Sequence, residues 1–214
     1  MINKDFYDKN YFEKGVTSKK SCYLNYRWMP ELTIPMAFNI VKFLNLKEDQ
    51  KILDFGCSKG FLVKSLRLLG IDAYGVDISS YAIDNLDSDV KKYCKLIPQN
   101  KNLIPFKFNF DWIISKDVLE HLTTNQISNF LNLYKKKTDK MFHVIPLGDN
   151  KKFRIKEYHL DKSHVQMNNE IWWEKIFNKN GWKILSFDYV VKGIKDNWTE
   201  NHPKGNGFFI IQKI

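Results

Sequence analysis

Residues 51–69 constrain the fold more than any other stretch. Lys51-Ile52-Leu53-Asp54-Phe55 is a short apolar run ending beside a carboxylate, Gly56-Cys57-Ser58-Lys59-Gly60 is a small-residue turn, and Phe61 to Leu69 carries a helical apolar period. In that order these are a buried strand, a tight turn and a helix start. Small residues at 56, 58 and 60 let the backbone bend sharply and let a ligand approach the main chain. Ala73-Tyr74-Gly75-Val76-Asp77 reads as a second strand ending in a carboxylate, 77 − 54 = 23 positions after Asp54. That spacing closes a βαβ unit whose second strand presents Asp77 to the two hydroxyls of a ribose.

The turn does not fit a dinucleotide. A pyrophosphate-binding fingerprint wants a glycine three positions after its second small residue, where helix and strand pack closely; counted from Ser58, Phe61 stands there. Asp54 beside the pocket disfavours a diphosphate and suits a cation. A cationic nucleoside is the expected ligand.

Asp54-Phe-Gly56-Cys-Ser58-Lys-Gly60 resembles motif I of the class I S-adenosylmethionine-dependent methyltransferases, with Ser58 in place of the middle glycine. A second block, the buried strand Phe110-Asp111-Trp112-Ile113-Ile114-Ser115 followed by Lys116-Asp117-Val118-Leu119-Glu120-His121-Leu122, is similar to the family's strand-four segment. The resemblance implies S-adenosylmethionine as cofactor, bound by Asp54, Gly56, Cys57, Ser58, Gly60, Asp77 and Ile78, with Ser115 and Lys116 lining its edge at the carboxyl end of the strand. Asn100 stands roughly where the family sets an acidic residue against the adenine amino group. The implied fold is α/β, a Rossmann-like doubly wound sheet of about seven strands, mostly parallel with an antiparallel C-terminal strand and helices on both faces.

The rest of the chain fits this plan. Aromatics Phe6, Tyr7, Tyr11, Phe12, Tyr23, Tyr26 and Trp28 mark an N-terminal cap over a pocket, with Tyr26 and Arg27 near the cofactor. Helical spacing is expected over 35–46, Ser79-Ser80 cap a helix running to about Leu86, and a short third strand falls within 90–97. A helix at 127–134, a strand at 141–146 and an amphipathic helix at 170–177 stopped by Asn180-Gly181 follow. Strands at 182–191 and 207–214, with no helix between them, form an antiparallel pair.

With 214 residues the chain is expected to be one methyltransferase domain, with residues 1–35 as cap and 147–170 as a substrate-side insertion. The net charge of +10 is spread along the chain with no basic arm, so nucleic acid is not the expected partner. Cys22, Cys57 and Cys94 fit neither a disulfide framework nor a zinc site, which places the chain in a reducing cytoplasm. No stretch reads as a signal peptide or a membrane span.

Transfer of a methyl group from a sulfonium to a hydroxyl needs in-line alignment and removal of a proton. The run Tyr158-His159-Leu160-Asp161-Lys162-Ser163-His164 resembles an Asp-x-Ser/Thr-His stretch of small-molecule and sugar methyltransferases. There His164 is the expected base or acceptor-binding group, Asp161 its orienting carboxylate and His159 a second contact. Asp117, Glu120 and His121 share one helical turn, and the trio resembles the Glu-x-x-Glu-His motif of some metal-assisted O-methyltransferases, with Asp117 in place of the first glutamate and His159 or His164 to complete the shell; but Leu-Glu-His-Leu also serves simply as a helix start, and no metal is expected. A Pro-Pro-aromatic motif after strand four and a Pro-Cys nucleophile are both missing, which argues against amino-directed and cytosine-directed nucleic-acid enzymes. The expected activity is O-methylation of a small metabolite or nucleotide-linked sugar, an acidic one given the basic surplus. Its rivals are a metal-assisted RNA 2′-O-methyltransferase and a non-catalytic nucleoside-binding subunit.

Overall fold

The computed structural model describes residues 4–97 and 104–214. Two short helices, α1 (Lys9–Glu13) and α2 (Gly15–Ser18), open the chain, and α3 (Pro30–Leu44) leads into the sheet. Strand β1 (Lys51–Phe55), α4 (Phe61–Leu68) and β2 (Asp72–Asp77) form the first crossover unit, followed by α5 (Ser80–Asp84) and β3 (Cys94–Leu96). Then come β4 (Trp112–Lys116), α6 (Thr124–Tyr134), β5 (Lys140–Pro146), α7 (Glu170–Lys179), β6 (Trp182–Asp188), α8 (Asp196–Thr199) and β7 (Asn206–Lys213).

The sheet has seven strands in the order β3-β2-β1-β4-β5-β7-β6. β1 to β5 run parallel, and β7 lies antiparallel to both neighbours, as expected for the C-terminal end. Strand order reverses between β1 and β4, so a crevice opens above their carboxyl ends, where open α/β sheets bind ligands. One face of the sheet buries Ile52, Val63, Leu66, Ala73, Ile114 and Phe142 with Ala37 and Ile40 of α3. The other buries Leu53, Ile113, Met141 and Phe209 against Phe130, Leu131, Trp173 and Phe177 of α6 and α7. Fully buried Trp182 also satisfies its indole, donating to the Leu131 carbonyl at 3.2 Å.

Local signals set most boundaries. Thr123 and Gln126 form a reciprocal capping box for α6, and Asn169 accepts the Trp172 N–H to start α7. α3 begins at Pro30, five residues ahead of the expected start, because a proline in the first turn lacks only an N–H that would be orphaned there. β6 ends at Asp188 instead of Val191, which bridges Ile194. The expected helix after β4 is only a 3₁₀ turn, Leu119–His121. It is cut short because Asp117 adopts a left-handed backbone (φ 56°) and Leu122 is extended. No helix among the described residues is long and apolar enough to cross a membrane.

Candidate active site

The glycine turn is built on β2. The N–H groups of Gly56 and Cys57 both donate to the Val76 carbonyl, at 2.8 and 3.0 Å. Gly56 has φ 83°, and a Cβ there would lie 2.5 Å from Val118 Cγ2, so only glycine fits. Gly60 (φ 77°) begins α4 over Leu86 and Val90. Ser58 also takes a left-handed backbone, φ 51°, the conformation a middle glycine would supply without strain. Its N–H donates to Asp77 Oδ2 at 2.8 Å, and the Ser79 N–H donates to Asp77 Oδ1 at 2.8 Å. Burial pushes the Asp77 carboxyl up while these N–H groups pull it down.

Asp54 is buried near the end of β1, and its carboxyl is pushed up to about 7, first by burial and then by the Asp77 charge, against the pull of Lys116. Two neighbouring carboxylates, Asp54 buried and Asp77 partly so, are a poor place for a phosphate and a good one for a cation. A slot of about 110 Å³ lies beside them, walled by Gly56, Asp77, Ile78, Ile97, Val118 and Leu122. A second cavity of about 420 Å³ holds Asp54, Gly56, Cys57, Ser58, Arg27 and Lys116.

The aromatic cap covers both. Tyr11 and Phe12 are buried among Phe6, Tyr7, Tyr23, Tyr26 and Tyr81. Ser79 Oγ donates to the Tyr7 carbonyl at 2.6 Å, while Lys59 pairs with Glu13 and donates to the Tyr26 carbonyl at 2.9 Å. The glycine turn thus anchors its own lid.

A third cleft, of about 1150 Å³, lies beyond β4 and is lined in part by Glu120, His121, Tyr158, Asp161, His164 and Lys195. Asp117 lines all three cavities, so they meet at the carboxyl end of β4. Its carboxylate bridges Lys116 Nζ (2.6 Å) and Lys195 Nζ (2.5 Å), and the two cations hold it far below the usual carboxylate range despite its burial. Lys195, nearly buried, also donates to the Tyr158 hydroxyl at 2.6 Å and Asn206 Oδ1 at 2.9 Å.

Asp161 ties the cap to this cleft. The Tyr11 hydroxyl donates to its Oδ2 at 2.6 Å, and Ser163 donates to Oδ1 from its N–H (2.8 Å) and its hydroxyl (2.5 Å). With its one proton committed there, Ser163 Oγ accepts from His121 Nδ1 at 2.8 Å, which leaves His121 Nε2 without a proton. His164 Nδ1 lies 2.7 Å from the Tyr158 carbonyl, which can only accept, so its Nε2 is bare as well. Burial pulls His121 down to about 4 and lowers His164 too, keeping both rings neutral near pH 7. The rings stand 4.5 Å apart.

Of the expected residues, Gly56, Ser58, Asp77 and Ile78 line the slot, Asp54, Cys57 and Lys116 the adjoining cavity, and Asp161 and His164 the large cleft. Three roles change. Ser115 points into the sheet, its hydroxyl 2.7 Å from His143 Nδ1, because alternate residues of β4 face opposite sides. Asp161 does not orient His164, whose Nε2 is 4.0 Å from its Oδ2; the Tyr158 carbonyl does that, and Asp161 acts on His121 through Ser163. His159 is exposed and accepts the Phe153 N–H at 3.1 Å, away from the cleft. Asn100 lies outside the described residues. Lys195 was missed, and so were the partners of Ser163 and Tyr11, because nothing in the local sequence marks a partner 78, 42 or 150 positions away.

The sequence matches a methyltransferase domain family over residues 32–192. No curated protein matches it. Among solved structures, a chain of a complex described as that between the Haloferax volcanii Trm112 methyltransferase activator and the "putative methyltransferase" superposes with TM-score 0.63 at 12% identity, over 86% of this chain and 92% of that one. A SAM-dependent methyltransferase from Aquifex aeolicus gives TM-score 0.59 at 18% identity, over 86% and 92%. Mitomycin 7-O-methyltransferase gives 0.61 at 11%, over 85% of this chain but 54% of the larger one. With the family matched over residues 32–192 and the seven-stranded sheet ending on one antiparallel strand, the chain belongs to the class I methyltransferases, enzymes whose cofactor is S-adenosylmethionine.

Proposed function

We propose that the chain methylates an oxygen of a small polar acceptor held in the large cleft, between the cap, the 147–170 segment and the stretch around Lys195. The observation that carries this is that Asp117 lines all three cavities, so an acceptor in the large cleft would lie next to a cofactor held in the other two. When bound, S-adenosylmethionine supplies a methyl group on a sulfonium. Asp77 holds the ribose hydroxyls, Asp54 favours the cation, and Arg27 lies close enough to serve a carboxylate. His164 meets the acceptor and takes its hydroxyl proton at Nε2, a neutral imidazole nitrogen already bare.

The charge of the cleft narrows the acceptor. Five carboxylates (Glu31, Asp117, Glu120, Asp161, Asp196) and four ammonium groups (Lys42, Lys116, Lys192, Lys195) line it. That balance disfavours both a polyphosphate backbone and the acidic acceptor that the bulk charge favours. A neutral, hydroxyl-rich molecule suits it better.

Calorimetric titration with S-adenosylmethionine tests the cofactor half: Asp77→Ala should weaken binding about 100-fold, the scale of lost charge-assisted hydrogen bonds. Equal affinity would reject the ribose role. His164→Ala should then lower kcat by about 10²–10⁴-fold with cofactor affinity kept. Full turnover in that variant would remove the base.

A further inference from the structure

We infer that the acceptor is an uncharged amphiphile, with its reacting hydroxyl at His164 and a hydrocarbon arm laid along α3. The large cleft has two kinds of lining, drawn from different parts of the chain. Its polar groups come mainly from residues 116–121 and 158–164, while Leu32, Pro35, Met36 and Phe43 of α3, with Val191 and Trp198, supply an apolar wall. On a helix, residues three and four apart share a face, so positions 32, 35, 36, 39 and 43 form one stripe, apolar but for Asn39. From 32 to 43 it rises about 16 Å, at about 1.5 Å per residue. Leu32 is 53% exposed, Met36 is half-buried, and the Phe43 ring rests on Phe142 with centroids 5.7 Å apart. One exposed leucine is ordinary; an apolar stripe on a cleft wall is a surface for an apolar ligand.

The stripe is joined to the reacting corner. Leu32 and Met36 also line the cavity that holds Asp54, Lys116 and Asp117, so its first turns lie beside the proposed cofactor site. The charge around it is balanced. Apart from Lys195, which pairs with Asp117, α3 and the 191–198 stretch bring two acids, Glu31 and Asp196, and two ammonium groups, Lys42 and Lys192. That balance favours no net charge on the arm. Size agrees, since the cleft of about 1150 Å³ is larger than the roughly 300–1,000 Å³ that encloses a drug-sized ligand. A hydroxyl-rich head alone would leave much of it to water. The arm extends the function proposed above, on which it rests for placing the hydroxyl at His164.

The test titrates methyl, butyl and octyl glucoside, uncharged and kept below micelle formation, into the full-length chain by calorimetry, with S-adenosylmethionine affinity measured in parallel. Affinity should rise about twofold per methylene placed on the stripe, or about 100-fold from methyl to octyl. In Leu32→Ser/Met36→Ser the octyl advantage should fall about tenfold or more, while Ile171→Ser, at an exposed apolar residue of α7, keeps it whole. Leu32→Ser alone, at a mostly exposed position, should lower it about threefold. No octyl glucoside binding, equal affinity for the three glucosides, an undiminished octyl advantage in the double variant, or its loss in Ile171→Ser overturns the arm. So does a dimer, seen by light scattering, that Leu32→Ser dissociates, since a second copy would then cover the stripe. Cofactor binding without a chain-length effect rejects the arm and leaves the proposed transfer chemistry intact; a chain-length effect without cofactor binding does the reverse.

Discussion

The proposed cofactor side and the proposed acceptor side of the crevice are built by different means. Asp54, Gly56, Ser58 and Asp77 come from one contiguous strand-turn-helix-strand, and their contacts are backbone bonds such as Gly56 N–H to Val76 and Ser58 N–H to Asp77. The acceptor side is assembled from distant pieces: Tyr11 to Asp161, His121 to Ser163, Lys195 to Asp117 and Tyr158. The first is set by main-chain geometry and resists substitution; the second is a web of side chains that can be retuned without disturbing the sheet. One fold can therefore keep its cofactor and change its acceptor.

The largest expected effect tests whether the cofactor side is truly a backbone device. Gly56→Ala combines a positive φ with a Cβ pressed on Val118, so it should cost about 2–4 kcal/mol of unfolding free energy. Adding Val118→Ala should recover only the steric part, as read in a denaturant double-mutant cycle. Complete recovery would show that packing, not φ, was the constraint.

A smaller effect separates charge from geometry. With the Asp54 carboxyl at about 7 in the fold against its usual 3.8, the folded apo chain holds a proton that the unfolded chain has lost. Its stability is therefore highest below about pH 4 and falls as pH rises through about 7, as far as this group contributes. Cofactor binding runs the opposite way, since the cation prefers ionised Asp54. Affinity for S-adenosylmethionine should drop about tenfold per pH unit below 7, and Asp54→Asn should flatten that slope. A pH-independent wild type would remove Asp54 from the cation's site.

The smallest expected change falls on the acceptor side. Tyr11→Phe removes one buried hydroxyl from Asp161, which keeps both Ser163 bonds, so thermal unfolding should register a loss of about 1 kcal/mol. Cofactor affinity should stay within a factor of about two, while the acceptor KM rises. If cofactor affinity fell with it, the two sides would be one unit and the contrast between them would fail.

Much of the first side was legible because its information is local. Alternating small residues, an apolar strand before them and a carboxylate 23 positions on needed no knowledge of what lies across the crevice. The strand-four block located the shared corner but misread its backbone: the left-handed Asp117 breaks the helix that Leu-Glu-His-Leu announces. Ser115 was misassigned for a related reason, since strand alternation turned its hydroxyl toward His143. His159 and His164 sit five positions apart in one polar run; a second contact was expected of His159, and the turn that puts it on the Phe153 N–H takes it out of the cleft.

From residue order alone came the sheet, its antiparallel end and the glycine turn facing Asp77, because strand period, turn chemistry and helix caps are interactions among near neighbours. The tertiary structure alone decided which polar side chains face one another. It gave Asp161 to Tyr11 and Ser163, gave Asp117 to two lysines, and left the buried Glu120 carboxyl without a hydrogen-bond partner near His164. Those outcomes depend on desolvation and on distances between segments far apart in the chain, quantities that no local pattern contains.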